Sequence, residues 1–366
     1  MSAAELSRAP AAEHLRERIL EARARRATLD IRGGNTKSFY GEPPRGEALE
    51  MRELTGISSY EPSELVITAR AGTPLAELEA VLAEKGQCLA FEPPRFAPGG
   101  TVGGMVAAGL AGPARSAAGP LRDYVLGVTL LNGRGELLTF GGQVMKNVAG
   151  YDVSRLMAGS WGILGVLCEV SLKVMASKVK TATLTFDWDE PRSLAELARW
   201  NALPLPLSAS AWHEGRLRVR LSGAAAAVHG ACRKLGGSML DPGEAAAWWD
   251  GVRDHGHAFF RPSEVELSSG ECLWRLSVPS ATPPLAHAGL IEWGGAQRWW
   301  RTRTAAQEVR ALAAAVGGHA TLVRAADKSA GAFAPLAEPL MRIHRALKSA
   351  FDPDRVLNAA RLYADL

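Results

Sequence analysis

The sequence lacks what several common activities require. Its four cysteines, Cys88, Cys168, Cys232 and Cys272, stand too far apart for any C-x-x-C metal or iron–sulfur arrangement, so no metal site is expected in the chain. No run of about 18 apolar residues occurs, and the start MSAAELSRAPAAEHLRERIL has no basic segment followed by an apolar stretch. That argues against a membrane span or a secretory leader and for a cytoplasmic location. Lys and Arg cluster densely only over residues 16–26, without interleaved aromatics, and the net charge is only +4, so nucleic acid is not an expected partner. No G-x-G-x-x-G occurs, which excludes the usual Rossmann nicotinamide site. Finally, no histidine lies between His14 and His213.

What the first half does contain is glycine in clusters. Residues 31–37 (IRGGNTK) and 98–104 (PGGTVGG) both look like phosphate loops, and residues 159–165 (GSWGILG) add a third glycine-dense run. A diphosphate needs backbone N–H groups within hydrogen-bond distance, and a side chain in the wrong place blocks that approach. Amides of Gly33, Gly34, Asn35 and Thr36 can form one side of such a cradle and those of Gly100, Thr101, Gly103 and Gly104 the other. Lys37 adds a counter-charge.

At 366 residues the chain exceeds a typical single core, and two domains are expected. Residues 13–26 carry Leu15, Ile19 and Leu20 at helical spacing, and Leu29-Asp30-Ile31 then leads into the first glycine loop. After an apolar run at Leu65-Val66-Ile67, Thr73-Pro74 predicts a helix start, with Thr73 as cap and Pro74 in the first turn. Asn132-Gly133 between residues 125–131 and 136–140 predicts a hairpin. Residues 166–174 alternate with a period of two, which predicts a half-buried strand. Composition shifts near Ser177: nine of ten tryptophans lie at or after Trp188, and seven of eight histidines from His213 onward. The expected division is a first domain over 1–176, a smaller α+β domain over 177–335, and a terminal helix and tail over 336–366.

Residues 31–41 (IRGGNTKSFYG), 98–112 (PGGTVGGMVAAGLAG), 144–174 (VMKNVAGYDVSRLMAGSWGILGVLCEVSLKV) and 351–363 (FDPDRVLNAARLY) resemble the FAD-binding domain of the vanillyl-alcohol oxidase and p-cresol methylhydroxylase superfamily. Within it they are most similar to the E-type FAD-binding subunits of bacterial glycolate oxidase. Weaker echoes at 273–279 (LWRLSVP) and 291–300 (IEWGGAQRWW) extend the likeness over nearly the whole chain. The resemblance implies an α+β fold: a p-cresol methylhydroxylase-type FAD-binding domain, a smaller α+β cap domain, and a C-terminal tail that returns to the FAD domain. It implies FAD held non-covalently, because members with covalent flavin often use a histidine in or near the first loop, where this chain has Asn35, Thr36 and Lys37.

Carried over position by position, the cofactor-binding residues are Arg32, Gly33, Gly34, Asn35, Thr36 and Lys37 in the first segment. Pro98, Gly99, Gly100, Thr101, Gly103, Gly104 and Gly109 follow in the second, then Asp123, and then Gly159, Ser160, Gly162, Gly165 and Val166 in the third. Asn358 stands in the tail where the family has an Asn near the flavin ring. The family commonly continues Asn-Pro-Gly, whereas this chain has Asn358-Ala359-Ala360. Many members also have Thr at the place of Ile163.

The implied activity is oxidation of a small 2-hydroxy acid, glycolate to glyoxylate. The implied partners are a second FAD-binding glycolate oxidase subunit and an iron–sulfur subunit that takes the electrons, with any membrane association made through them at the inner membrane. Such chemistry needs a cation for the substrate carboxylate and a base for the hydroxyl proton. Arg275 and Arg298 are the candidate cations, and His255 and His257 the nearest pair for a base. Lys146, Asn147, Tyr151 and Asp152 form a further polar cluster. The histidine motif H-x-G-D-G-N-x-H of larger D-2-hydroxy-acid-oxidising relatives is absent. Two other readings stay open: a self-sufficient FAD oxidase of another small hydroxy acid or alcohol, and a non-catalytic flavin-containing assembly subunit.

Overall fold

A computed structural model describes residues 6, 9–142, 151–286 and 289–366 of the chain. It divides into two compact units. One comprises the chain up to Leu110, Pro120–Ser177 and Pro335–Leu366, and the other Ala111–Gly119 and Lys178–Ala334.

The first unit opens with the helix Pro10–Arg25. Pro10 starts it, Arg26 in a left-handed conformation ends it, and Ala12, Leu15, Ile19 and Ala22 form its buried stripe. Strand β1 (Leu29–Arg32) then pairs in parallel with β2 (Glu47–Glu50). Further on come β3 (Ile57–Glu61), β4 (Val66–Arg70), the short β5 (Gln87–Cys88), β6 (Val125–Leu131), β7 (Leu137–Gly141), β8 (Val166–Lys173) and the short β9 (Met175–Ala176). Five of these make an antiparallel sheet in the order β3-β4-β8-β6-β7.

Three local expectations change. Strand β8 is not half-buried: Leu167 and Ser171 are as enclosed as Cys168 and Val170, because the strand is central and the helix Val102–Ala108 packs against it. Thr73 does not cap the helix Leu75–Glu84; its buried hydroxyl accepts from Gly56 N at 2.9 Å and donates to Gly56 O at 3.1 Å, fastening the loop before β3 instead. In the β6–β7 hairpin the left-handed residue is Gly135, not Gly133. Asn132 shapes this longer turn by accepting from the amides of Arg134 and Glu136, while Gly133 makes room for Asp352.

The second unit is an antiparallel sheet of β10 (Lys180–Asp187), β11 (Leu207–His213), β12 (Arg216–Gly223), β13 (Ser238–Met239), β14 (Cys272–Ser277), β15 (Leu290–Glu292), β16 (Gln297–Thr302) and β17 (His319–Arg324). Its order is β13-β10-β12-β11-β15-β16-β14-β17. Alternate residues of the strands point to helices laid on one face. Leu184, Phe186, Leu217 and Val219 pack with Leu197, Trp200 and Val228, and Trp274, Leu276 and Trp300 with Val309 and Ala313.

The C-terminal helix Glu338–Phe351 belongs to the first unit. Beyond it the chain runs parallel to β1, with Leu29 N donating to Val356 O at 2.7 Å and Asn358 N to Leu29 O at 2.9 Å.

Candidate functional site

The first unit contains a groove whose walls come from segments far apart in sequence. Its empty space is about 820 Å³ with the open mouth included. Arg32, Gly33, Gly34, Asn35, Thr36 and Lys37 line it from the loop after β1, and Thr101, Gly103 and Gly104 from the second loop. Trp161, Gly162 and Gly165 line it from the third glycine run, and Asn358 and Arg361 from the tail.

The glycines are required first by the protein itself. A Cβ on Gly34 would run into the backbone of Gly99 and reach Gly100 N at 2.9 Å, and one on Gly103 would meet the Ala71 Cβ at 2.6 Å. The two loops touch, and only bare backbone allows it. Among the described residues, the amides of Gly33, Gly34, Asn35 and Thr36, together with those of Gly100 and Thr101, donate to no acceptor in the protein. Asn35 lies in the left-handed region at φ 53°, which turns successive N–H groups inward. A set of unmet backbone donors beside Lys37 fits a diphosphate; Arg32 also lines the groove, but its Nε is paired with the buried Asp30 carboxylate at 2.6 Å. Gly103 and Gly104 do not contribute amides as expected. Gly103 N already donates to Ala71 O at 2.7 Å, and Gly104 N to the Thr101 hydroxyl at 3.2 Å.

At the tail end of the groove Asn358 bridges two walls, accepting from Ile31 N at 2.7 Å and donating to Trp161 O at 2.6 Å. Its backbone is left-handed, as is that of Ala360 at φ 62°, so the Ala-for-Gly departure in the Asn358-Ala359-Ala360 sequence keeps a turn that glycine favours. Trp161 has two partners for its ring. Tyr40 stacks on it with centroids 5.4 Å apart at 6°, and the Arg361 guanidinium lies 4.9 Å from its ring centre. Arg361 also donates to the carbonyls of Lys37, Ser38 and Glu42. Burial pushes its pKa down to about 10, against the pull of Asp30 and Glu42, and it stays charged.

Trp161 and Arg361 were not among the expected site residues, although both lie inside the segments that carry the resemblance. A buried cation on an aromatic face has no sequence signature of its own. Of the remaining expected positions, Pro98 and Gly99 are exposed on the second loop, and Gly109 ends the helix Val102–Ala108 packed on Gly159. Gly159 N bonds Val106 O at 3.0 Å, while Ser160 and Val166 are buried; none of these lines the groove. Asp123 is exposed in the turn Leu121–Tyr124 and also lies outside the lining. Lys146 and Asn147 fall outside the described residues. Tyr151 is 95% exposed, and Asp152 caps the helix Val153–Leu156 and pairs with Arg155.

In the second unit, Arg298 has to be reassigned. Its side chain is 0% exposed, and its guanidinium donates to Gly295 O, Pro283 O, Thr282 O and the Glu190 carboxylate. It fastens β16 to the 282–283 segment and to the helix Glu190–Asn201, with its guanidinium committed to partners in the protein. Arg275 lies on the opposite face of the sheet, half-buried, in register with Trp299 and Thr321. His255 approaches that face. It stacks on Phe260 at 4.3 Å and meets Trp299 edge-on at 4.8 Å, while Arg261 Nε donates to its carbonyl at 2.8 Å. Burial, then the charges of Arg324, Arg275 and Arg261, drives the His255 pKa well down. His257, with its Nε2 3.0 Å from Trp248 O, is lowered by burial as well. Both are packed residues rather than an exposed H-x-H, which removes the ready access a proton-abstracting base needs. No group of three or more His, Cys, Asp or Glu side chains able to hold a metal occurs among the described residues.

With this geometry established, comparison with known proteins is informative. A family model described as an FAD binding domain matches residues 7–141. A glycolate oxidase subunit, GlcE of Escherichia coli K12, is 43% identical over 96% of this chain and 97% of its own length. This chain belongs to the GlcE family of glycolate oxidase subunits. It is accordingly an FAD-binding protein of oxidoreductase type, with a p-cresol methylhydroxylase-type FAD domain. Other relatives match less than half of the chain. D-lactate dehydrogenase of Anaerostipes hadrus is 32% identical over 39% of this chain and 30% of its own. Glycolate oxidase subunit GlcD of Bacillus subtilis is 30% identical over 43% and 34%. The solved structure of alkyldihydroxyacetonephosphate synthase shares the fold, with a TM-score of 0.61, 14% identity, and coverage of 94% of this chain and 74% of that one. Among the described residues no helix is long and apolar enough to cross a membrane.

Proposed function

We propose that this chain is the FAD-binding subunit of a complex that oxidises glycolate to glyoxylate, working with a second FAD-binding subunit and delivering electrons to an iron–sulfur subunit. The observation that supports it is the likeness to a glycolate oxidase subunit, which runs through both units rather than through the FAD domain alone. FAD, when bound, supplies the acceptor for the hydride from the carbinol carbon. The chain's own residues bind and orient. The unmet amides at Gly33, Gly34, Asn35, Thr36, Gly100 and Thr101 hold the diphosphate, with Lys37 as counter-charge and Arg32, paired with Asp30, at the same wall. Arg275, beside Arg261 and Arg324, is the cation suited to grip the substrate carboxylate in a bidentate fork. The cofactor is then held without a covalent bond, consistent with the absence of histidine among the described residues that line the groove. The complex is cytoplasmic and meets the inner membrane only through its partners.

The test is a pull-down of the tagged chain followed by anaerobic glycolate titration of the complex and of the separated chain. Expected are two co-purifying proteins, one flavin-bearing and one carrying iron and sulfide, and flavin reduction that is far slower in the separated chain. Rapid bleaching with steady turnover by the chain alone would replace this reading with that of a self-sufficient oxidase.

A further inference from the structure

The C-terminal helix ends in a buried ion pair that the cofactor chemistry does not call for. Lys348 and Asp352 are 1% and 0% exposed. The ammonium uses all three protons, donating to Asp352 Oδ2 at 2.7 Å, Leu357 O at 2.7 Å and Ile163 O at 2.8 Å. The carboxylate in turn accepts from Val356 N at 3.0 Å and Leu357 N at 2.8 Å. The pair therefore closes the 352–357 turn on itself and pins it to the third glycine run.

A buried pair of this kind contributes little net stability over a well-packed apolar pair, because desolvation of both ions offsets their attraction. What it does fix is register. One residue beyond Leu357 comes Asn358, bonded to Ile31 N and Trp161 O, and three further on comes Arg361, bonded to the carbonyls of Lys37 and Ser38 in the first loop. A shift of the 352–357 turn would carry both away from the groove.

We propose that Lys348 and Asp352 are positioning residues for FAD: they hold residues 356–361 as one wall of the cofactor groove, so that cofactor binding and docking of the tail are a single coupled equilibrium. The proposal rests on FAD binding and is independent of which substrate is oxidised. Coupling of this kind is reciprocal: FAD must protect the tail by the factor by which the tail tightens FAD.

The experiment is hydrogen exchange on the full chain, FAD-loaded and stripped, read at Val356, Leu357, Asn358 and Arg361, with amides of β14 and β16 as an internal reference. Exchange in the tail should slow at least tenfold on loading while the reference stays constant. Lys348→Met should weaken FAD binding at least tenfold and abolish most of the rise in Tm that FAD confers. A merely structural pair would instead lower Tm equally with and without FAD. Arg345→Ala, which cuts only the outer pairs with Glu338 and Asp365, should leave both quantities unchanged. Equal tail exchange in the two states overturns the proposal, as does a folded Lys348→Met chain with unaltered FAD affinity. If that variant does not fold, the wild-type exchange result decides alone.

Discussion

In the first unit the decisive positions are those where a side chain is missing, Gly34 against Gly99 and Gly103 against Ala71. In the second they are those where the largest side chains are fitted together: Trp200, Trp274 and Trp300 are buried between sheet and helices, and Arg298 is enclosed with them. The contrast extends to unmet polar groups, although the buried Lys348–Asp352 pair of the first unit is satisfied internally like the charges of the second. The first unit leaves backbone donors unmet in a groove, as a protein awaiting an anion must. The second satisfies its buried charges internally, with Arg298 on Glu190 and three carbonyls, and Glu292 accepting from Trp299 Nε1 at 2.6 Å and Gln297 Nε2 at 2.9 Å. Unmet donors and bare backbone mark a binding unit. Self-satisfied polar groups among aromatic rings mark a scaffold.

The largest expected effect comes from putting a side chain into the bare region. Gly34→Val should abolish FAD binding, since the Cβ alone already overlaps the Gly99 backbone and must part the two loops. Gly103→Val should do the same through Ala71. Flavin content of the purified chain is the measure, and a normal flavin complement in both variants would show the cradle to be elsewhere.

Next in size is the mirror experiment in the second unit. Arg298→Ala strands the Glu190 carboxylate and three carbonyls that lose their donor, a loss of about 3–5 kcal/mol in the stability of that unit. FAD content should not change in whatever fraction folds. Denaturant titration followed by tryptophan fluorescence reads the first quantity, and flavin absorbance the second. Arg275→Ala should behave oppositely, with little change in stability but a loss of about 2–5 kcal/mol in substrate binding by the assembled complex, roughly 30-fold to several thousand-fold. Unchanged kinetics would move Arg275 into the scaffold with Arg298.

The two units were also unequally legible in the sequence. A glycine loop announces itself because the requirement for bare backbone acts on residue type directly. Gly33, Gly34 and Gly103 could therefore be assigned to the groove from spacing and resemblance together. Arg298 could not be told from Arg275 that way, since their difference is only which face of a sheet each strand presents, and a one-residue change of register exchanges the faces. Trp161 and Arg361 escaped for a related reason: their stack joins residues 200 positions apart, and nothing local to either encodes it. Thr73 shows the same limit on a small scale. Thr-Pro before an apolar helix is a sound capping signal, yet a nearby backbone group, Gly56, competes successfully for the hydroxyl.

A smaller effect separates the units by pH. His255, His257 and His319 all have lowered pKa values, from burial first and then from nearby positive charge: Arg324, Arg275 and Arg261 for His255, His213 and Arg218 for His257, and Arg275 for His319. Unfolded, each takes up a proton near pH 6.5; folded, each resists until lower pH. The unfolded state thus binds more protons as pH falls below about 6.5, and stability declines with acidification by up to about 1.4 kcal/mol per pH unit for each histidine. All three histidines lie in the second unit, and none is among the described residues that line the FAD groove, so this loss belongs to the second unit. Denaturation followed at pH 7.5 and 5.5 should show the tryptophan-monitored transition moving and the slope reduced in His255→Phe. Equal midpoints at both pH values would remove histidine burial as a source of acid sensitivity.

The smallest expected effect probes a tight turn of the first unit that is not built from bare backbone. Asn358 and Ala360 are both left-handed, yet neither is glycine. For Asn358 the reason is visible, because its amide joins β1 to the third glycine run; Asn358→Gly would ease the backbone but leave Ile31 N and Trp161 O without their partner, a net loss of about 1–3 kcal/mol. Ala360 has only a buried methyl group to justify itself. A left-handed alanine is strained by about 1–2 kcal/mol, while glycine carries about 0.5–1 kcal/mol more conformational entropy into the unfolded chain. The difference favours Ala360→Gly by about 0–1.5 kcal/mol, so the variant should melt slightly higher and keep its FAD. A drop in Tm would mean that the methyl contact outweighs the strain, and that the Ala359-Ala360 departure from the family's Pro-Gly is a packing choice rather than a tolerated one.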